Sequence, residues 1–245
     1  MSKVALITGA NRGLGFETAR QLGRRGISVI LGVRDKTKGE TAAGVLRDEG
    51  IDASSVELDV SSPPSVRAAR DELAADHDRL DILINNAGIL PEAAADADGP
   101  VDGDLFRQTF ETNVFGAVTV IEEFLPLLGA SSAGRIVNVS STMGSLSEQH
   151  NPSSPYYDVA GVPAYRASKT ALNGVTVALA KQLAATPIKI NAICPGSVQT
   201  DLAPGNREQA PLTPEEGSQA VIAMATVGAD GPSGQFIDAE GTVDW

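Results

Sequence analysis

The chain predicts an α/β fold, a single doubly wound, mostly parallel sheet of about seven strands with helices on both faces. Three observations carry this reading. Short apolar runs recur along the 245 residues, the stretches between them have helical spacing, and no disordered linker or internal repeat divides them. Parallel strands are buried on both faces, so they read as unbroken apolar runs, and alternation with helices is how such a sheet is wound. One domain over residues 1–245 is the expectation.

Taken in order, the predicted strands are Val4–Ile7, Val29–Leu31, Val56–Leu58, Ile82–Ile84, Ile136–Val139 and Lys189–Ile193, with Gln235–Ile237 a short seventh. The predicted helices are Gly15–Arg25, Thr37–Glu49, Pro64–His77, Asp104–Leu128 and Ala164–Ala185. Pro63-Pro64 suits the opening of the third helix, because proline is tolerated in a first turn. Ala93–Asp104, Thr142–Pro163 and Ala203–Pro214, rich in glycine, proline or small residues, read as loops.

Bulk properties narrow the function. Hydrophobic residues make up 42% and the mean hydropathy is −0.02, which suits a globular protein with a well-buried core. No uninterrupted apolar run has the length of a membrane helix, about 18 residues, and the opening residues lack a secretory pattern. A net charge of −12 argues against nucleic acid and anionic membrane as partners. The single cysteine, Cys194, can form no internal disulfide, and a cytoplasmic location is expected. Cys194 itself reads as a small core residue, with a nucleophile as the alternative. His77 and His150 lack metal-ligand neighbours, so no metal is expected.

The first strand leads into Thr8-Gly9-Ala10-Asn11-Arg12-Gly13-Leu14-Gly15 and then a helix. Glycines at such a joint let backbone amides approach a pyrophosphate at a helix N-terminus, so the joint reads as a nucleotide site, a turn that serves packing alone being the alternative. The second strand ends at Arg34-Asp35. An acid there binds a ribose 2′-hydroxyl, whereas an arginine accommodates a 2′-phosphate. Arg34 together with Arg12 favours NADP(H). The alternative is an NAD enzyme with Asp35 on the ribose and Arg34 in a surface ion pair.

Tyr165 and Lys169 stand four positions apart, on one face of a helix. A free phenol has a pKa of about 10. A neighbouring cation lowers it, which makes the tyrosine a usable acid or base. Together with the glycine loop and the serine-bearing strand end Asn138-Val-Ser-Ser141, this ordered set resembles the short-chain dehydrogenase/reductase family over essentially the whole chain.

The resemblance implies a Rossmann-like domain in which Tyr165 donates the proton and Lys169 tunes it while binding the nicotinamide ribose. It implies that Ser141 holds the substrate oxygen, with Ser140 the alternative, and that Asn113 anchors a relay water. Asn113 could instead be structural, satisfying a neighbouring backbone group. It further assigns Asp59 and Val60 to the adenine, Asn86, Ala87 and Gly88 to a turn beside the cofactor, and Pro195, Gly196, Val198 and Thr200 to the carboxamide and phosphates. Tyr156 and Tyr157 read as loop or substrate-pocket residues.

Ser141 and Tyr165 are 24 positions apart, more than in ketoacyl reductases, and with the ending Phe236–Trp245 this is more similar to the carbonyl-reductase-like branch. The expected activity is NADPH-dependent reduction of ketones or aldehydes. The alternatives are an NAD-linked alcohol dehydrogenase, a 3-ketoacyl reductase and an NADP(H)-sensing binding protein without catalysis. A homodimer or homotetramer is expected, with the 142–163 segment shaping substrate preference.

Overall fold

In the computed structural model, which describes residues 2–95 and 101–245, seven strands form one parallel sheet. They are β1 Val4–Thr8, β2 Ser28–Val33, β3 Ala53–Glu57, β4 Ile82–Asn85, β5 Arg135–Val139, β6 Lys189–Ile193 and β7 Phe236–Ile237. Their spatial order is β3-β2-β1-β4-β5-β6-β7, with β1 and β4 adjacent at the centre. From β1 the chain winds outward in one direction, then returns to β4 and winds in the other. That reversal opens a crevice at the carboxyl ends of the central strands.

The helices are α1 Gly13–Gly23, α2 Lys36–Asp48, α3 Pro63–Asp76, α4 Gly103–Phe110, α5 Ala117–Gly129, α6 Leu146–His150, α7 Pro163–Gln182, α8 Asn206–Gln209 and α9 Pro214–Ala225. Strand alternation sorts the core into two layers. Ala5 and Ile7 of β1 join the cluster under α1, α2 and α9, whereas Val4 and Leu6 face the cluster under α3 and α5. Cys194 packs with Ala192, Phe236 and Val243 in a small third cluster.

The differences from the sequence reading are local. β3 starts at Ala53 and ends at Glu57 instead of covering Val56–Leu58, because the polar pair Ser54-Ser55 still pairs with β2 at the sheet edge. The predicted helix Asp104–Leu128 is interrupted by a π-helical turn, Glu111–Gly116, that separates α4 from α5. Gly116 lies so close to Val60 that an added Cβ would meet its side chain at 2.9 Å and its carbonyl at 3.0 Å, so only glycine fits at the end of this turn. The combined stretch Gly103–Gly129 is long and apolar enough to span a membrane by length and composition, although Asp104, Arg107, Glu111, Glu122 and Glu123 interrupt its apolar run. Here Val120, Phe124 and Leu128 are packed in the core. Of the expected loop 93–104, residues 96–100 lie outside the described residues.

Two segments read as loops contain helix. α6 occupies the first half of 142–163, whose second half, with Pro152 and Pro155, stays irregular, and α8 lies within 203–214. Helix α9 was not anticipated, although its signals are local: Thr213 caps the Glu216 amide, Glu216 returns the bond to the Thr213 amide, and Pro214 fills the first turn.

Candidate active site

The glycine joint takes the conformation its sequence requires. Gly9 and Gly13 have φ of +65° and +57°, which an L side chain adopts only at a cost, and α1 starts at Gly13. At Gly15 the need is close approach, since a Cβ would lie 2.5 Å from Asn86 Nδ2 and 2.9 Å from the Gly9 carbonyl oxygen. Asn86 braces the joint from β4: its Nδ2 donates to the carbonyls of Thr8 and Gly9, and its amide donates to Thr8 Oγ1. Ala87 N also donates to Thr8 Oγ1. Gly88 follows beneath Lys169, whose Nζ would stand 3.7 Å from an added Cβ.

Two clefts flank this joint. The first, about 410 Å³, is lined by Gly9, Arg34, Asp35, Lys38, Asp59, Val60 and neighbours, and Asn11 reaches it from the loop. Asp35 is committed here to the α2 N-terminus, accepting from the Lys38 amide at 3.0 Å, and that bond holds its carboxyl below the ordinary value. Asp59 turns onto its own chain, accepting from the amide and hydroxyl of Ser61. Lys38, which the sequence reading passed over, adds a third cation to Arg34 and Arg12. Its signal was its place in the first turn after the Arg34-Asp35 strand end. Arg12 differs from expectation because its guanidinium donates to Asp201 at 2.5 Å, and Arg207 pairs with the same carboxylate. Those two cations hold Asp201 below its usual range.

The second cleft, also about 410 Å³, joins Leu14 and Gly15 to Ser140, Ser141, Tyr165 and Lys169. Pro195, Gly196, Val198 and Thr200 line it after β6, and Tyr156, Met143, Leu90 and Leu202 supply its apolar wall. Tyr157 is exposed instead. Thr200 packs beneath Gly13, with its Cγ2 3.2 Å from where a Cβ would stand.

The two serines have different duties. Ser140 Oγ donates to Asn173 Oδ1 at 2.6 Å, inside the core. Ser141 Oγ accepts from the Met143 amide and hydrogen-bonds Tyr165. Gly144 brings this turn against α7, where a Cβ would lie 2.7 Å from the Lys169 carbonyl carbon.

Tyr165 and Lys169 are both buried. Lys169 Nζ donates to the Val139 carbonyl at 2.8 Å and sits 5.5 Å from the Tyr165 ring centre. The expected lowering of the phenol pKa does not occur. Burial pushes it well above its ordinary value, Cys194 adds to the rise, and only the Ser141 hydrogen bond opposes it. Lys169 is desolvated too, and burial brings its pKa down to about 8, against a smaller opposing effect of Cys194. Tyr165 therefore stays protonated at neutral pH, the form a proton donor needs.

Asn113 sits in the π-helical turn, and its side chain is used structurally. Its Oδ1 accepts from the Ile89 amide, and its Nδ2 donates to the Ile89 carbonyl and to Ser168 Oγ. The 142–163 segment is pinned to α7 by Arg166, which bonds the Val159 carbonyl and Gln149 Oε1. Behind it, Ser145 and Ser147 donate to the carbonyls of Asp244 and Trp245, whose ring stacks on Phe236.

A family profile described as short chain dehydrogenase matches residues 3–211. The chain belongs to the short-chain dehydrogenase family. This short-chain dehydrogenase is 34% identical to carbonyl reductase [NADPH] 3 of Rattus norvegicus, over all of this chain and 99% of the relative. It is 32% identical to carbonyl reductase [NADPH] 1 of Mus musculus, with 99% and 98% covered. Among solved structures, NADPH-bound carbonyl reductase from chicken fatty liver shares the fold, with a TM-score of 0.86 over 100% of this chain and 99% of that one at 24% identity. The carbonyl-reductase-like branch expected from the Ser141–Tyr165 spacing is thus the one its relatives occupy.

Proposed function

We propose that this short-chain dehydrogenase is an NADPH-dependent reductase of ketones or aldehydes, reversible as an alcohol dehydrogenase. The observation that carries the reading is the meeting of Ser141, Tyr165 and Lys169 in one cleft, continuous with a glycine joint that a second, cationic cleft flanks. The joint suits a dinucleotide: Gly9, Asn11, Arg12, Gly13, Leu14 and Gly15 would hold the pyrophosphate at the α1 N-terminus. Arg34 and Lys38, with Arg12 if it leaves Asp201, would take the 2′-phosphate of NADP(H). The use of Asp35 as a helix cap disfavours the NAD alternative. Asp59 and Val60 would flank the adenine, and Asn86, Ala87, Gly88, Pro195, Gly196, Val198 and Thr200 the remainder.

When bound there, the nicotinamide supplies or accepts the hydride. The protein's part is acid–base work and orientation. Ser141 donates a hydrogen bond to the substrate oxygen and polarises the carbonyl. Tyr165 gives its phenolic proton to that oxygen as negative charge develops. Lys169, a cation at neutral pH with donors beyond the one spent on Val139, holds the ribose and favours transient phenolate. Asn113 locks the turn through which a relay water reaches Lys169. Leu90, Met143, Tyr156 and Leu202 give the carbonyl an apolar seat.

The enzyme acts in a reducing cytoplasm as a homodimer or homotetramer. Light scattering reads more than one 25.3 kDa subunit on this view, and a clean monomer refutes that half. The central test follows NADPH and NADH consumption against a panel of ketones, aldehydes and thioester ketones. Faster NADPH oxidation with simple ketones or aldehydes supports the reading. Activity confined to thioester ketones, or cofactor binding with no turnover, overturns it.

A further inference from the structure

We propose that Glu92 is a positioning residue for Tyr165: its carboxylate clamps the first amides of α7 and so fixes the helix that carries the phenol. The inference rests on the reductase reading above. Helix α7 opens without a cap of its own. Its N-cap residue, Val162, is held in the left-handed region at φ +52°, and no side chain there accepts a hydrogen bond. Pro163 contributes no N–H, so the first amides needing partners are those of Ala164 and Tyr165.

Both find them on one side chain. Glu92 Oε1 accepts from the Ala164 amide at 3.0 Å, and Oε2 accepts from the Tyr165 amide at 2.8 Å. A carboxylate in this place completes the helix end with charge-assisted bonds and meets the positive end of its dipole. A cap from a neighbouring residue would serve the helix alone. This one comes from the 3-10 turn Pro91–Ala93 after β4, so it locates α7 relative to the sheet.

The chain just before this turn is tied to α7 a second time. Asn113 ties both polar groups of the Ile89 backbone to Ser168, the residue before Lys169. Between the two grips, Leu90 lines the substrate cleft. The stretch from Ile89 to Glu92 therefore joins the wall of the pocket to the helix bearing Tyr165 and Lys169. Glu92 itself does not line the cleft, so it acts through Tyr165.

The test compares Glu92→Ala, which removes both acceptors, with Glu92→Gln, which keeps one and turns an amide NH2 toward the other. Kinetics use NADPH and the carbonyl that the wild type reduces fastest. For Glu92→Ala we expect kcat to fall about ten- to a hundredfold, the scale on which slight misplacement of a reacting group acts. Glu92→Gln recovers part of that loss, and KM for NADPH stays within about twofold in both. Hydrogen exchange across residues 163–169 speeds in the same order. A residue that only supports the fold would lower thermal stability and leave kcat unchanged at temperatures where the variant is folded. Unchanged kcat in Glu92→Ala, or loss of kcat in Glu92→Gln as complete as in Glu92→Ala, overturns the proposal. Exchange needs no turnover, so a wild type inactive on every carbonyl sinks the reductase reading while unaltered exchange in Glu92→Ala sinks the clamp.

Discussion

At the glycine-joint end of the clefts, the groups that shape the site lie within a few positions of a strand end: Gly9 to Gly15 after β1, Arg34 to Lys38 after β2, Asp59 and Val60 after β3. The end holding Tyr165 is put together differently. Its parts come from the turn after β4, the π-helical turn at Asn113, the serine turn after β5, α7 and the Cys194-Pro195 exit of β6. The first end is braced from outside by Asn86 and by Asp201 on Arg12, whereas the phenol's position depends on remote bonds at Glu92, Asn113, Lys169 and Arg166. Phosphate recognition needs backbone amides and nearby cations, which a short joint can supply by itself. Proton donation needs a side chain at a fixed place relative to another molecule, and only packing sets that.

The contrast makes the two ends separable by mutation. The largest effect expected is for Tyr165→Phe, which keeps the ring and removes the proton: kcat falls by about a hundredfold or more, and NADPH affinity barely changes. Steady-state turnover with fluorescence titration of NADPH measures both, and a variant with most of its activity would break the separation.

Arg34→Ala probes the opposite end. Loss of a charge-assisted contact costs about 1.5–3 kcal/mol, or roughly ten- to a hundredfold in NADPH Kd, while NADH binding changes far less. Equal weakening of both cofactors would make Arg34 structural and return Asp35 to contention.

Gly144→Ala pushes a methyl to 2.6 Å from Lys169 Cβ and 2.9 Å from the Thr170 amide. Overpacking of this kind costs about 1–3 kcal/mol, seen as a lower denaturation midpoint, and turnover drops more than NADPH binding because α7 is displaced.

The smallest effect is one of pH. Lys169 titrates near 8 in the folded chain, below its unfolded value, so above that point the unfolded state binds more protons and stability rises with pH. Between pH 7 and 9 the gain is about 1 kcal/mol. It is absent in Lys169→Met, as urea unfolding at the two pH values checks. Tyr165 acts in the reverse sense at higher pH. Its raised pKa means that stability is lost as pH climbs past the ordinary phenol range, so the rise turns over above about pH 10.

How legible each end was follows from the same distinction. The glycine joint, the Arg34 strand end and the Tyr165–Lys169 pair were readable because each is a fixed spacing within one element or joint. Helix α9 was equally local, yet a proline-rich stretch hid the Thr213–Glu216 capping box. Asn113 stood out as a poor helix former, but nothing nearby in sequence showed that Ile89 and Ser168 are its partners. Glu92 gave no signal at all, being a lone acid before a run of alanines.

The amino-acid pattern alone determined the alternation of buried strands and helices, the phosphate-binding joint and the pairing of a phenol with an ammonium on one helical face. Those follow from period, propensity and backbone freedom, which act over a few residues. Only the tertiary structure decided that Ser140 turns inward to Asn173 while Ser141 bonds Tyr165, and that Asp35 caps α2. It also decided that Arg12 engages Asp201 and that burial outweighs charge in setting the Tyr165 and Lys169 protons. Desolvation and partner choice depend on what the rest of the chain packs around a group, and that surrounding is brought together by folding from residues far apart in sequence.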